Sequence, residues 1–85
     1  MKEKIILRSK AKTFEPILRI GKQGLTENIV EEINKVIKKK RLIKIKLLKS
    51  SFDGKDKKQL IQELINKTNS ELIESVGNII VLYKK

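Results

Sequence analysis

Apolar and polar residues follow two different rhythms along this chain. From Leu42 to Leu48 the repeat is every second residue: Ile43, Ile45 and Leu47 face one way and Lys44 and Lys46 the other. That alternation predicts a strand with one buried face. Between about Glu27 and Lys40 the repeat lengthens, and Ile29, Ile33 and Ile37, joined by Val30 and Val36, form one stripe of a helix. A loop, Lys49-Ser50-Ser51-Phe52-Asp53-Gly54, precedes a third helical pattern reaching about Asn66, with Leu60, Ile61, Leu64 and Ile65 on its buried side. Asn69 suits the left-handed position that ends such a helix. Ile17–Ile20 is a short strand. Ile79-Ile80-Val81-Leu82 is apolar on both faces and should lie centrally in a sheet. Its partner, Leu72–Val76, carries Glu74 and Ser75 and follows Glu71, so it should be an edge strand. Gly77-Asn78 between them is a two-residue hairpin signal.

The N-terminal stretch Lys2–Lys12 is the least regular. It reads as a short helix with weak periodicity, although Ile5, Ile6 and Leu7 are consecutive, which fits a strand as well. Thr13-Phe14-Glu15-Pro16 ends it, because the residue before a proline avoids the α region. Phe14 is expected to plug the core at that turn. The element order is then α-β-α-β-α-β-β, a two-layer α/β arrangement of the α+β class, with residues 1–85 as one domain. Helical crossovers link strands one, two and three, so these should run parallel with right-handed connections. Strand four runs back against strand three.

The first strand ends in Gly21-Lys22-Gln23-Gly24, and a helix begins at once. Glycines at both ends of the loop allow positive φ or close approach of another surface. Thr26 is a plausible N-cap, and Leu25 before it can staple to Val30. The helix start turns unpaired N–H groups and the positive end of its dipole toward the same spot. A strand, a G-x-x-G loop and a helix N-terminus together suit a phosphate. The plainer alternative is an ordinary strand-to-helix turn.

Charge shifts the balance toward the first reading. The 85 residues hold 21 Lys plus Arg against 10 Asp plus Glu, a net charge of +11. A lysine-rich solvated surface would be expected to carry balancing glutamates. The excess is uneven as well: +10 of the +11 falls in residues 1–50, which include the glycine loop. A polyanion is the expected partner. There is no Cys and no His, which removes disulfides, zinc sites and histidine acid–base chemistry. No cofactor or metal is implied, and no small-molecule substrate. No apolar run approaches a membrane span, and the charged N-terminus lacks the apolar core of a signal peptide. A cytoplasmic monomer is expected.

Length and topology locate the basic groups. A helix of about 14 residues is ~21 Å long. Lys38-Lys39-Lys40-Arg41 therefore lies ~20 Å from the glycine loop, at the opposite edge of the sheet. The early acids Glu27, Glu31 and Glu32 and the late lysines of that helix also suit its dipole. Parallel strands bring Lys49 and the start of the third helix, Lys55, Lys57 and Lys58, to the edge that holds Gly21–Gly24. Two helix N-termini and Lys22, Lys49, Lys55, Lys57 and Lys58 should share one rim, a cradle for a nucleic-acid backbone. Phe52 could stack on a base there or seal the loop to the core.

Pro16 with the apolar pair before the loop, the G-x-x-G followed by Leu25-Thr26-Glu27, the helix stripe, Leu42-Ile43-Lys44-Ile45-Lys46 and Gly77-Asn78-Ile79-Ile80-Val81-Leu82-Tyr83 together resemble the CRM domain (chloroplast RNA splicing and ribosome maturation), in its free-standing, single-domain prokaryotic form. The resemblance runs through essentially the whole chain in order. It implies a fold similar to the C-terminal domain of translation initiation factor three, with a four-stranded mixed sheet ordered 1-2-4-3. It further implies RNA binding through Gly21, Lys22, Gln23, Gly24 and the neighbouring basic surface, and association with large-subunit ribosomal precursors.

Three other functions fit parts of the pattern. A small basic DNA-binding architectural protein would share the composition. An enzyme acting on RNA, lacking His and Cys, would depend on carboxylates such as Glu31 and Glu32 or on a lysine, and helix electrostatics already accounts for those acids. A protein-binding accessory could display Arg19, Lys44 and Lys46 on a sheet face that helices leave uncovered. The expected function is non-enzymatic RNA binding, with Gly21, Lys22, Gln23, Gly24, Thr26, Lys49, Lys55, Lys57 and Lys58 as the binding residues and ribosomal RNA or a ribosomal precursor particle as the partner.

Overall fold

A computed structural model describes residues 2–52 and 56–84. Its elements are α1 (Lys2–Ala11), β1 (Leu18–Ile20), α2 (Glu27–Lys40), β2 (Leu42–Leu47), a 3-10 turn (Lys49–Ser51), α3 (Lys57–Thr68), β3 (Glu71–Val76) and β4 (Ile79–Tyr83). The four strands form one sheet in the order β1-β2-β4-β3. β1 and β2 are parallel, with Leu18 opposite Ile45 and Ile20 opposite Leu47. β4 runs antiparallel to both β2 and β3. The strand that is apolar on both faces is therefore central, and the glutamate-bearing strand is an edge, as their patterns predict.

Most of the core lies on one side of the sheet. Ile20, Ile43, Ile45, Leu47, Ile80 and Leu82 meet Ile33 and Ile37 of α2 and Ile61 and Leu64 of α3 in one buried aliphatic cluster. α2 keeps its predicted ends. The Thr26 hydroxyl accepts from the Ile29 N–H at 3.2 Å, and three lysines occupy the last turn. α3 runs two residues beyond Asn66 because Thr68 is fully buried and satisfied. Its hydroxyl donates to the Leu64 carbonyl at 2.7 Å and lies 2.7 Å from the Ser70 hydroxyl. Asn69 then caps the helix at φ 52, ψ 47, the left-handed conformation expected of it.

The other side of the sheet carries a smaller cluster: Ala11, Leu42, Ile73 and Val81, with Leu7 and Tyr83 packed against them. A bulge between Leu72 and Glu74 leaves Ile73 without a ladder partner and aims it at this side. The N-terminal stretch is a helix. Residues on a helix turn about 100° per position, so three consecutive apolar residues cannot all face inward. Leu7 and Ala11, four apart, pack inward, and Ile5 and Ile6 are left 61% and 56% exposed.

Phe14 departs from expectation, being 38% exposed and outside the buried clusters. Ala11 fills the core position instead. The Phe14 N–H donates to the Ala11 carbonyl at 3.0 Å, which carries the ring past the core to the sheet edge. Phe52, by contrast, packs against the main core and seals its loop.

Candidate nucleic-acid interface

Gly21–Gly24 forms a closed turn in which the Gly24 N–H donates to the Gly21 carbonyl at 2.9 Å. Neither Lys22 nor Gln23 has positive φ, while Gly24 sits at φ +68. Those signs fit a type I turn with glycine at its last position. The two glycines do different work. Gly24 is required for its backbone conformation, with open space where a Cβ would stand. Gly21 has ordinary φ, and a Cβ there would meet Leu48 Cδ1 at 3.6 Å, an ordinary contact.

The backbone then turns into α2. The Thr26 N–H donates to the Gly24 carbonyl at 3.2 Å. The amides of Lys22, Gln23, Leu25, Glu27 and Asn28 have no acceptor among the described residues. These donors gather at the positive end of the α2 dipole, where an anionic oxygen would satisfy them. The Lys22 and Gln23 side chains are exposed beside them.

The remaining residues of the proposed rim reach the same edge in different states. The Leu48 N–H donates to the Ile20 carbonyl at 2.9 Å, which sets Lys49 next to the glycine turn, exposed. Lys58 is exposed at the start of α3. Lys57 is half-buried, and its amine donates to the Gly77 carbonyl at 2.6 Å, tying α3 to the β3–β4 hairpin. It is the least available of the lysines. Lys55, with Asp53 and Gly54, lies outside the described residues.

The two helix starts are not equivalent. At α3 the Asp56 carboxylate accepts from the Lys58 N–H at 3.0 Å and occupies the place a phosphate would take. At α2 the cap is the neutral hydroxyl of Thr26. An anion is therefore better received at the glycine turn than at the start of α3.

A groove of about 580 Å³ separates the turn from α3. Gln23 and Gly24 form one wall, and Gln59, Gln62, Glu63 and Asn66 the other. Gln62 Nε2 donates to Asn66 Oδ1 at 3.3 Å. The groove is rich in amides rather than cations, so charge attraction belongs to the exposed lysines around it. The sequence marks this wall, absent from the expected binding residues, only in the spacing of Gln59, Gln62 and Asn66, which places three amides along one side of a helix.

Fold and site together define a small α+β domain built around a strand, a glycine turn and a helix start. Residues 1–84 match the CRS1 / YhbY (CRM) domain, and the chain belongs to that family. It is 36% identical over 84 residues to "Probable RNA-binding protein YqeI" of Bacillus subtilis, an alignment covering 99% of this chain and 85% of the relative. An "RNA-binding protein" of Haemophilus influenzae is 30% identical over 83 residues, covering 98% of this chain and 82% of the relative. The solution structure of the hypothetical protein SAV1595 from Staphylococcus aureus superposes with a TM-score of 0.81 at 40% identity, covering 99% of this chain and 85% of that one. The resemblance read from the sequence and the strand order it implied are both borne out.

Proposed function

We propose that this protein binds RNA without catalysing a reaction, and that it associates with precursor large-subunit ribosomal RNA during ribosome assembly. The observation that carries the reading is the set of open backbone amides at the Gly21–Gly24 turn and the start of α2, in a chain whose relatives are named for RNA binding. The amides receive phosphate oxygens. Lys22, Lys49 and Lys58 raise the local concentration of the polyanion, and their attraction weakens as salt rises. Backbone donors carry no sequence information, so the turn positions the RNA rather than reading it.

The test is a double variant, Gly21→Asp with Gly24→Asp. Both sites have room for a Cβ. Aspartate tolerates positive φ better than most residues, so the fold should survive at a cost of about 1 kcal/mol. Two carboxylates among the amides should abolish RNA binding. Sequencing of nucleic acid that co-purifies with the wild-type chain at low salt should return precursor large-subunit ribosomal RNA, and the double variant should return none. Wild-type affinity in the double variant would refute the site. Bulk genomic DNA in place of RNA would point instead to an architectural role on DNA.

A further inference from the structure

The densest positive charge lies at the edge opposite the glycine turn. Lys38, Lys39 and Lys40 end α2, Arg41 follows, Lys10 and Lys12 sit at the end of α1, and Lys44 rises from β2. Two of them, Lys40 and Lys44, line a cleft of about 570 Å³ together with Phe14, Pro16 and Ile17, and Glu15 is the one carboxylate among its described lining residues. Phe14 and Ile17 are 38% and 40% exposed there. The Phe14 backbone is held at both ends: its N–H donates to Ala11, and its carbonyl accepts from Lys44 Nζ at 3.1 Å. An exposed aromatic ring on a tethered backbone, flanked by lysines, is the arrangement by which proteins stack an unpaired base and hold its phosphates.

Helix electrostatics suits the three lysines that end α2 and the cation of its C-cap, Arg41, but not the backbone conformation that Arg41 adopts. Arg41 sits at φ 69, ψ −42, outside the left-handed helical well and close to the strained γ-turn conformation. Its N–H donates to Ile37 and its carbonyl accepts from the Lys84 N–H, each at 2.8 Å, so backbone bonds hold the strain in place. The equivalent position after α3 is filled by Asn69, a residue suited to positive φ. Glycine at position 41 would satisfy the backbone better than arginine does. The strained position instead carries an exposed arginine, between Lys40 and Leu42, which both line the cleft.

We propose that this cleft is a second RNA-contact site, in which Phe14 stacks on an unpaired base while Lys40, Arg41 and Lys44 hold the adjoining phosphates. The proposal rests on RNA as the partner but not on the glycine turn. The two sites are separated by the length of α2, ~20 Å, so no single phosphate reaches both and an RNA is gripped at two points.

The test measures the 85-residue chain by fluorescence anisotropy against a fluorescein-labelled 12-nucleotide oligouridylate and a blunt-ended RNA duplex of two strands. Phe14→Leu should weaken binding of the oligouridylate roughly tenfold and leave the duplex almost unchanged, and Phe14→Tyr should restore it. Arg41→Gly should weaken the oligouridylate several-fold and reduce the log–log salt slope by about one unit. Its melting temperature should hold or rise, an outcome that a merely structural arginine would not give. Wild-type affinity in both Phe14→Leu and Arg41→Gly would overturn the second site. If the Gly21→Asp, Gly24→Asp variant loses binding in the same series, the turn stands alone. If that variant binds normally and Phe14→Leu does not, the cleft is the site and the turn is not. A wild-type chain that binds neither probe would remove both.

Discussion

The two faces of the sheet are built from the same strands and do opposite things. Ile80 and Val81 are neighbours on β4. Ile80 joins the ten-residue cluster under α2 and α3, and Val81 joins the four-residue cluster under α1. The first face is closed, aliphatic and covered by two amphipathic helices. The second is covered over only part of its area. Beyond α1, the row Arg19–Lys46–Ile79–Val76 runs across it, and Arg19, Lys46 and Val76 are exposed. Stability is thus concentrated on one face, which leaves the other face and both sheet edges free to carry charge. A domain this small has few places to bury surface, and this one uses a single side for most of it.

Matched substitutions test that division. Ile80→Ala should be the most damaging, at about 3–4 kcal/mol, because it opens a cavity in the closed cluster. In a chain of this size that lowers the melting temperature by roughly 15–25 °C. Val81→Ala, one residue along, should cost about 2 kcal/mol. Equal losses from the two in thermal denaturation would erase the distinction between the faces.

Leu7→Ala should cost about 1–2 kcal/mol, and its effect should stay local. Amide exchange should rise across α1 while β2 and β4 stay protected. Uniform loss of protection would mean that α1 folds as one unit with the main core. Thr26→Ala removes the α2 cap and should cost about 1 kcal/mol. It should weaken RNA binding less than the double aspartate variant does, because the open amides remain. The smallest effect belongs to Lys4. Its amine lies 3.7 Å from the Glu71 carboxylate, with both side chains about half exposed. Lys4→Ala should change stability by under about 0.5 kcal/mol, and denaturant titration would show it.

Legibility followed the number of independent signals at each place. The expected span of α2, about Glu27 to Lys40, matches the helix because cap, stripe and charge order agree. The Gly77-Asn78 hairpin and the central strand were equally plain, each resting on a local rule. At the site, the positive φ of Gly24 and the cap at Thr26 could be read from residue type and position. The commitment of Lys57 to the Gly77 carbonyl could not, since twenty residues separate the two. The Asp56 cap is marked in the sequence only as an acid before a helix. Phe14 departs from its expected place because an aromatic beside a proline turn has two destinations, and only the packing of Ala11 with Leu42 chooses between them.

By itself the sequence determined the element order, the buried side of each long element, the glycine turn and the sign of the molecule's field. These are set by near neighbours, whose spacing and backbone preferences act within a few residues. Only the tertiary structure decided that the N-terminal helix leaves two isoleucines exposed, that one helix start is open to an anion and the other is filled by Asp56, and that Phe14 shares a cleft with Lys40. Those outcomes depend on which segments the sheet brings side by side, and packing settles that across the whole chain at once.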